Sequence, residues 1–268
     1  MLQEAAAATA KRKLELAERL KQTVLPLYLQ DEKARPWPFA SCVLGKVEGR
    51  FYAFTAGHVL EKVVAPLTLW APALNGKLEL LPCSTGFVKR NKNPVRDLDI
   101  GLIPLHASSL GPFAGYTFLE KTEIDDAENA TYAFLRNFYM VMGYPCSARQ
   151  SKVNYPALKL NPQSFQLHTN PPYKDLYEQE KFDKARHILV DFDRDDIRIN
   201  RKRVDPPRLQ GVSGGGIFCV SHETYQGPLI AIATDHRIEA RVVAGTRIRY
   251  FIEEARRVNR TASAEIFE

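Results

Sequence analysis

Three short motifs contain a histidine, an aspartate and a serine in settings where each could take part in one reaction. They are Phe54-Thr55-Ala56-Gly57-His58-Val59, Asp97-Leu98-Asp99-Ile100-Gly101-Leu102-Ile103 and Gly211-Val212-Ser213-Gly214-Gly215-Gly216. A serine hydroxyl is a weak nucleophile at neutral pH, so it needs a neutral imidazole as base and a carboxylate that orients the imidazole. The motifs predict acyl transfer, with Ser213 as nucleophile and His58 as general base.

Two aspartates could fill the orienting role. Asp99 directly precedes the apolar run Ile100–Ile103, in which the small Gly101 leaves room for another chain segment to approach. Asp97 lies two residues earlier and therefore on the same face of a strand. A solvated strand end is the simpler interpretation of Asp97, which stays the alternative candidate.

The glycines around Ser213 have a stereochemical use. Gly211 can adopt a positive φ, which lets successive backbone N–H groups point at one position. The N–H groups of Gly211 and Ser213 would then form an oxyanion hole, often the largest single contribution to catalysis. Glycine-rich loops have many other uses, so the prediction depends on the three motifs occurring together and in this order.

The order histidine, aspartate, serine differs from the orders of subtilisins and α/β-hydrolases. It resembles that of the chymotrypsin-like (trypsin-fold) serine peptidases, in particular their compact bacterial members. The resemblance implies Asp99 as the triad carboxylate, because the family's carboxylate precedes a large-small-large strand. It also implies that the hydroxyl of Thr234 supports this carboxylate, and that Asp235 and His236 pair with the substrate backbone. An ordinary strand-end threonine is the alternative for Thr234.

The same resemblance bears on substrate choice. The family's primary specificity position falls about six residues before the nucleophile, which is Pro207 here. Because no acid stands there, a buried carboxylate would not select Arg or Lys, and apolar or small side chains are expected at the cleavage site. Asp205 and Asp235 are close enough in sequence to reach the pocket instead.

Short apolar runs dominate the chain from Pro38 onwards, which is typical of an all-β protein. The predicted strands are Phe39–Val47, Arg50–Ala56, Leu67–Trp70, Leu78–Leu81, Ile100–Leu105, Tyr132–Met142, Phe165–His168, His187–Phe192, Gly216–Val220 and Leu229–Thr234. With the resemblance, they predict two six-stranded Greek-key barrels of the chymotrypsin fold, with the active site between them.

Helices are predicted at both ends of the chain. Residues Glu4–Val24 are rich in Ala, Leu, Lys and Glu, and the run from Ile248 fits a C-terminal helix. The predicted organisation is an N-terminal helical extension over 1–34, a first barrel with His58 and Asp99 over 35–125, and a second barrel with Ser213 and the C-terminal helix over 126–268. The N-terminal helix and the charged 170–203 insertion are the candidate contacts for a regulatory protein.

Composition excludes several other functions. Among the 268 residues 25% are charged and 45% hydrophobic, as in ordinary globular proteins, and no window is apolar enough for a membrane span. The net charge of +6 comes without a nucleic-acid-binding motif, so nucleic acid is not an expected partner. The four cysteines lack metal-binding spacing, and Val59 after His58 rules out the disulfide that spans the catalytic histidine in secreted relatives. No cofactor or metal is expected.

These observations predict a serine endopeptidase that acts on a protein or peptide substrate. A secretory signal and the Ile-Val-Gly-Gly activation sequence are not found, which favours a cytoplasmic bacterial protease controlled by a partner. A role in stress or antiphage defence is an analogy only. The alternative is a binding module that uses a protease fold to capture peptides without turnover.

Overall fold

The structure is a computed structural model with two large antiparallel sheets, two small two-stranded sheets and a helix at each end. It describes residues 2–33, 35–63, 68–83, 86–89, 98–120, 123–124, 136–146, 152–154, 159–172, 176–193, 198–199, 202–203 and 208–264. The N-terminal half contains α1 (Leu2–Lys21), β1 (Val24–Gln30), β2 (Pro36–Val47), β3 (Arg50–Thr55), α2 (Gly57–Leu60), β4 (Trp70–Pro72), β5 (Leu78–Leu80), β6 (Phe87–Lys89) and β7 (Ile100–Leu105). The C-terminal half contains β8 (Asn137–Gly143), β9 (Lys152–Asn154), β10 (Lys159–Asn161), β11 (Phe165–Thr169), β12 (His187–Asp191), β13 (Arg198–Ile199), β14 (Lys202–Arg203), β15 (Gly216–Ser221), β16 (Leu229–Arg237), β17 (Val242–Arg247) and α3 (Ile248–Ala264).

The first sheet closes on itself. Its strand order is β5-β4-β1-β2-β3-β7-β6, so the two edge strands are consecutive along the chain. The N–H of Leu81 donates to the carbonyl of Leu69, and the N–H of His106 donates to the carbonyl of Pro82, both at 2.8 Å. The chain after β5 therefore passes from the β4 side to the β7 side within two residues, which requires a barrel. The sheet has seven strands where six were predicted, and β1 and β6 are not among the strands predicted from the sequence.

The second sheet has the predicted six strands, in the order β11-β8-β15-β16-β17-β12. Its two edges meet just beyond β11 and β12. There the N–H of Asp191 donates to the carbonyl of Asn170 at 2.8 Å, and the hydroxyl of Thr169 donates to the carbonyl of Asp191 at 2.5 Å. These two bonds close the second barrel.

Most strands are apolar on both faces because each face packs against a core. One cluster contains residues of the N-terminal half alone, including Leu25, Leu27, Cys42, Leu44 and Ala53. Another contains residues of the C-terminal half alone, including Val141, Val190, Ile217, Ile230 and Val243. A third combines both sheets with the terminal helices, including Val43, Phe54, Met142, Ile232 and Phe251. The barrel interiors and the seam between them thus explain the continuous apolar runs.

The helical extension is shorter than predicted. Helix α1 ends at Lys21, and the next residues form β1, which pairs with both β2 and β4. The first barrel therefore begins at Val24 and not at residue 35. The β-branched Thr23 and Val24 favour the extended backbone that begins β1, and Pro26 prevents a longer helix because it lacks the N–H that a helix interior needs.

Helix α1 is fixed to the body of the protein by two leucines. Leu16 and Leu20 are each 3% exposed and belong to the core between the barrels, whereas Leu14 on the same helix is 66% exposed. We expect Leu20→Ala to lower the free energy of unfolding by about 2–4 kcal/mol, because it leaves a cavity in this core. Leu14→Ala is the matched control and should change it by less than about 0.5 kcal/mol. Chemical denaturation of both variants tests the docking of α1, and equal effects would contradict it.

All four cysteines are free thiols. Cys42 and Cys219 are buried, and burial raises the pKa of the Cys42 thiol to about 12. Within the described ranges, no helix combines the length and apolar character needed to cross a membrane.

Candidate active site

His58 and Asp99 form a close pair at the ends of two neighbouring strands. Strand β3 ends at Thr55, and His58 is the second residue of α2; Asp99 directly precedes β7, which pairs with β3. The imidazole Nδ1 lies 2.6 Å from Asp99 Oδ2, and the backbone N–H of His58 donates to Oδ1 at 2.9 Å. An ionised carboxylate can only accept, so Nδ1 carries the ring proton. In the neutral ring the other nitrogen, Nε2, then carries the lone pair that can accept a proton.

Two glycines make room for this pair. A Cβ atom on Gly57 would lie 2.8 Å from Asp99 Oδ1, and one on Gly101 would lie 2.8 Å from the carbonyl oxygen of Ala56. The prediction that Gly101 lets another segment approach is therefore confirmed, and that segment is the one that leads into His58. Asp97, the alternative carboxylate, lies outside the described residues.

The second barrel reaches Asp99 through a different threonine from the predicted one. Thr234 lies at a bulge, where Ala233 pairs with Gly245 and Asp235 pairs with Ala244. The Thr234 hydroxyl donates to the carbonyl of Ala244 at 3.5 Å, so its bond goes to β17 and not to the Asp99 carboxylate. The buried hydroxyl of Thr246 instead accepts the backbone N–H of Asp99, at 3.4 Å.

The loop that carries Ser213 leaves two backbone donors unused. The N–H groups of Val212, Gly214 and Gly215 donate to carbonyls at 2.8–2.9 Å. Those of Gly211 and Ser213 have no acceptor within the described part of the chain. Gly211 has a φ of +96° and Gly214 a φ of +88°, conformations that favour glycine. The two N–H groups without an acceptor are thus the two that the sequence analysis assigned to an oxyanion hole.

Sequence reasoning missed Ser41, which anchors this loop. Its backbone N–H donates to the carbonyl of Ser213 at 2.9 Å, and its fully buried hydroxyl donates to the carbonyl of Gly211 at 2.8 Å. The same hydroxyl accepts the N–H of Tyr144 from the second barrel at 2.8 Å. The carbonyl of Ser41 accepts the hydroxyl of Thr55 at 2.8 Å. The sequence signal for this anchor was a small polar residue inside the otherwise apolar middle of strand β2.

This anchor brings the serine loop to the end of β3. A Cβ on Gly214 would collide with the carbonyl of Ser41 and with the hydroxyl of Thr55. Thr55 is only three residues before His58, so the loop of Ser213 packs against the segment from which the histidine emerges. The three motifs of the sequence are therefore gathered at one place, at the junction of the two barrels.

Cys146 is the other nucleophilic side chain near this loop. Its N–H donates to the carbonyl of Gln210 at 2.7 Å, and its sulfur lies where a side chain on Gly211 would project. Burial raises the pKa of the Cys146 thiol to about 11. The thiol is neutral near pH 7 and is a poor nucleophile, because the thiolate is the reactive form.

A cleft of about 590 Å³ opens beside the serine loop. Its lining includes Phe192, Arg208, Leu209, Gln210, His236 and Ile238. The His236 ring packs edge-on against Phe192, with centroids 5.0 Å apart. Asp235 lies on the adjacent strand position and forms an ion pair with Arg237.

Pro207 and Asp205 lie outside the described residues. Among the residues described, no group of three or more His, Cys, Asp or Glu side chains could hold a metal ion.

Comparison with known proteins identifies the fold. No family model matches the sequence, and no curated protein matches it in sequence. The structure is similar to that of GrC, a granzyme serine protease, with a TM-score of 0.56 and 15% sequence identity over 90% of this chain and 96% of that one. At this level of identity the similarity shows the fold alone, which is the chymotrypsin-like two-barrel fold with helices at both termini.

Proposed function

We propose that this chain is a serine endopeptidase that hydrolyses peptide bonds through an acyl-enzyme. The observation that carries the proposal is that the N–H groups of Gly211 and Ser213 find no acceptor among the described residues, in a loop held against the segment that bears His58. A loop with a purely structural role has no reason to leave two neighbouring donors without acceptors, because unmade hydrogen bonds are costly unless water or a ligand satisfies them.

The first half of the reaction forms an ester. Ser213 Oγ attacks the carbonyl carbon of the substrate and gives its proton to His58 Nε2. The carbonyl oxygen becomes an oxyanion and accepts the N–H groups of Gly211 and Ser213. His58 then donates the proton to the amide nitrogen as the C–N bond breaks, and the amine leaves. In the second half, water attacks the ester with His58 again as base, which releases the acid and restores the Ser213 hydroxyl.

Asp99 supports each of these proton transfers. Its two oxygens hold the Nδ1 and backbone N–H of His58 at 2.6 and 2.9 Å, so the ring is fixed in orientation and tautomer. The negative carboxylate also stabilises the imidazolium that forms in both halves of the reaction. The side chain of Asp99 is only 16% exposed, so solvent weakens this interaction little.

An open strand edge supports a peptide as the substrate. Strand β16 pairs with β15 only as far as Ile232, whereas its pairing with β17 continues through Arg237. Among the described strands, the segment of Asp235 and His236 thus has β17 as its one neighbour. An extended peptide can add a strand there, which is a common mode of peptide recognition. A bacterial, partner-controlled role and a cytoplasmic location remain predictions from the sequence.

Covalent labelling tests the proposal. A fluorophosphonate should modify Ser213 and no other residue, because only an activated serine attacks the phosphorus at a useful rate. Intact-mass measurement should show one adduct on the wild-type protein and none on Ser213→Ala, with Ser108→Ala as an exposed-serine control that labels normally. Failure of the folded wild-type protein to react would favour the alternative of a peptide-binding module.

A further inference from the structure

We propose that the cleft beside the serine loop binds an acidic side chain, that of the residue whose carbonyl Ser213 attacks, and that Arg208 selects it. This inference rests on the proposed function and names its substrate class: peptides with Asp or Glu directly before the scissile bond. It replaces the expectation, based on Pro207, that this position is apolar or small.

The first observation is the position of the cleft. Leu209 and Gln210 form part of its wall and directly precede Gly211, whose N–H would hold the substrate carbonyl. The side chain of the residue whose carbonyl is held there branches from the α-carbon that is bonded to this carbonyl. The cleft can receive this side chain, because its wall includes the two residues before Gly211 and its volume lies in the range of specific ligand sites.

The second observation is the charge balance of the cleft. Asp193 lies on its lining with its carboxylate 2.6 Å from Nη1 of Arg241, so these two charges offset each other. Asp235, next to His236, has Arg237 Nε at 2.9 Å as its ion-pair partner, although the N–H does not point along the contact. Of the described residues at the cleft, Asp193 and Asp235 therefore each already have their own arginine.

Arg208 is the surplus charge. It lines the cleft and is exposed, and no hydrogen bond or ion pair joins it to any residue of the described ranges. A guanidinium offers a rigid fork of N–H donors that matches a carboxylate with two parallel hydrogen bonds. The walls around it are largely apolar, with Phe192, Leu209 and Ile238, and suit the methylene groups of Asp or Glu. A positive charge in this position also disfavours Lys and Arg in the substrate.

The test begins with a randomised peptide library whose cleavage sites are read by mass spectrometry, followed by matched fluorogenic peptides. We expect kcat/KM to be about 10- to 100-fold higher for Glu than for Gln, and for Asp than for Asn, directly before the scissile bond. The ratio should fall as salt is added, because the site is partly open to solvent. Arg208→Leu should bring the ratio close to one, and Arg208→Glu should favour Lys instead.

Arg260→Leu is the matched control, since it removes the same charge from an exposed position on α3 and should leave the ratio unchanged. Fluorophosphonate labelling of Ser213 is measured on every variant. Normal labelling together with equal cleavage of the Glu and Gln peptides would overturn the acidic cleft and leave the proposed hydrolysis standing. An acid preference that survives Arg208→Leu, or cleavage after Arg or Lys, would also overturn it. Absence of labelling would overturn the proposed function, and the acidic cleft with it.

Discussion

Asp99→Asn is expected to lower kcat by about 10⁴-fold while the protein stays folded. Asp99 accepts two N–H groups of His58, one from the ring and one from the backbone. The asparagine side chain has one oxygen, which can accept only one of these two N–H groups. Its NH₂ group is itself a donor and would point at the other N–H group. If the amide oxygen keeps the backbone N–H, the ring must present an unprotonated Nδ1. The proton then lies on Nε2, and the imidazole cannot accept the proton of Ser213.

Asp97→Asn is the matched control, because it removes the same charge two residues away. We expect it to retain activity within about threefold, as is usual for a change outside the active site. Steady-state kinetics with a peptide substrate, and thermal unfolding of both variants, make the comparison. If Asp97→Asn is inactive while Asp99→Asn is active, the carboxylate has been assigned to the wrong residue.

Gly214→Ala should abolish most of the activity and also destabilise the protein. The φ of +88° costs an alanine about 1–2 kcal/mol, and the new methyl group would collide with the carbonyl of Ser41 and the hydroxyl of Thr55. Relief of the collision must move the loop of Ser213 away from the first barrel. A displacement of about 1 Å at a reacting group lowers turnover by about 10²-fold, and loss of an oxyanion donor lowers it further.

Gly49→Ala separates backbone strain from the collision. Gly49 has a similar φ of +81° in the turn between β2 and β3, and a Cβ there would meet no atom within 4 Å. We expect this variant to lose about 1–2 kcal/mol of stability and to keep its activity. Urea unfolding and labelling of Ser213 at a permissive temperature distinguish the two cases. Equal behaviour of the two variants would show that the close packing of the serine loop is not needed.

Local chemistry was predictable from the sequence, whereas long-range contacts were not. The need for a small residue at Gly101 follows from its bulky neighbours, and the approach of Ala56 confirms it. Ser41 contacts Gly211 across 170 positions of sequence, and nothing in a strand pattern specifies which distant carbonyl a buried hydroxyl will meet. Likewise, β16 carries a bulge at Thr234 that no residue pattern announces, and it directs that hydroxyl to β17.

The boundary of the first barrel was mispredicted for a different reason. The residues of β1 follow a strongly helical segment, and the apolar residues of both elements contribute to the same core. Sequence periodicity therefore gave a continuous apolar signal from Leu16 to Val24, and only the strand pairing of β1 with β2 and β4 divides it. Strand β6 was not predicted at all, because a strand of three residues is too short to give a periodic signal.

The single hydroxyl of Ser41 has a consequence for how the protein would lose activity. This hydroxyl binds the carbonyl of Gly211 and the N–H of Tyr144. A residue of the first barrel therefore holds both the loop of Ser213 and the start of the chain beyond β8. The barrels cannot part without breaking both bonds, and then the loop is without its anchor although each barrel can still be intact. We therefore expect the proposed hydrolysis to be lost before global unfolding, so that its rate would report separation of the barrels earlier than a measure of secondary structure does.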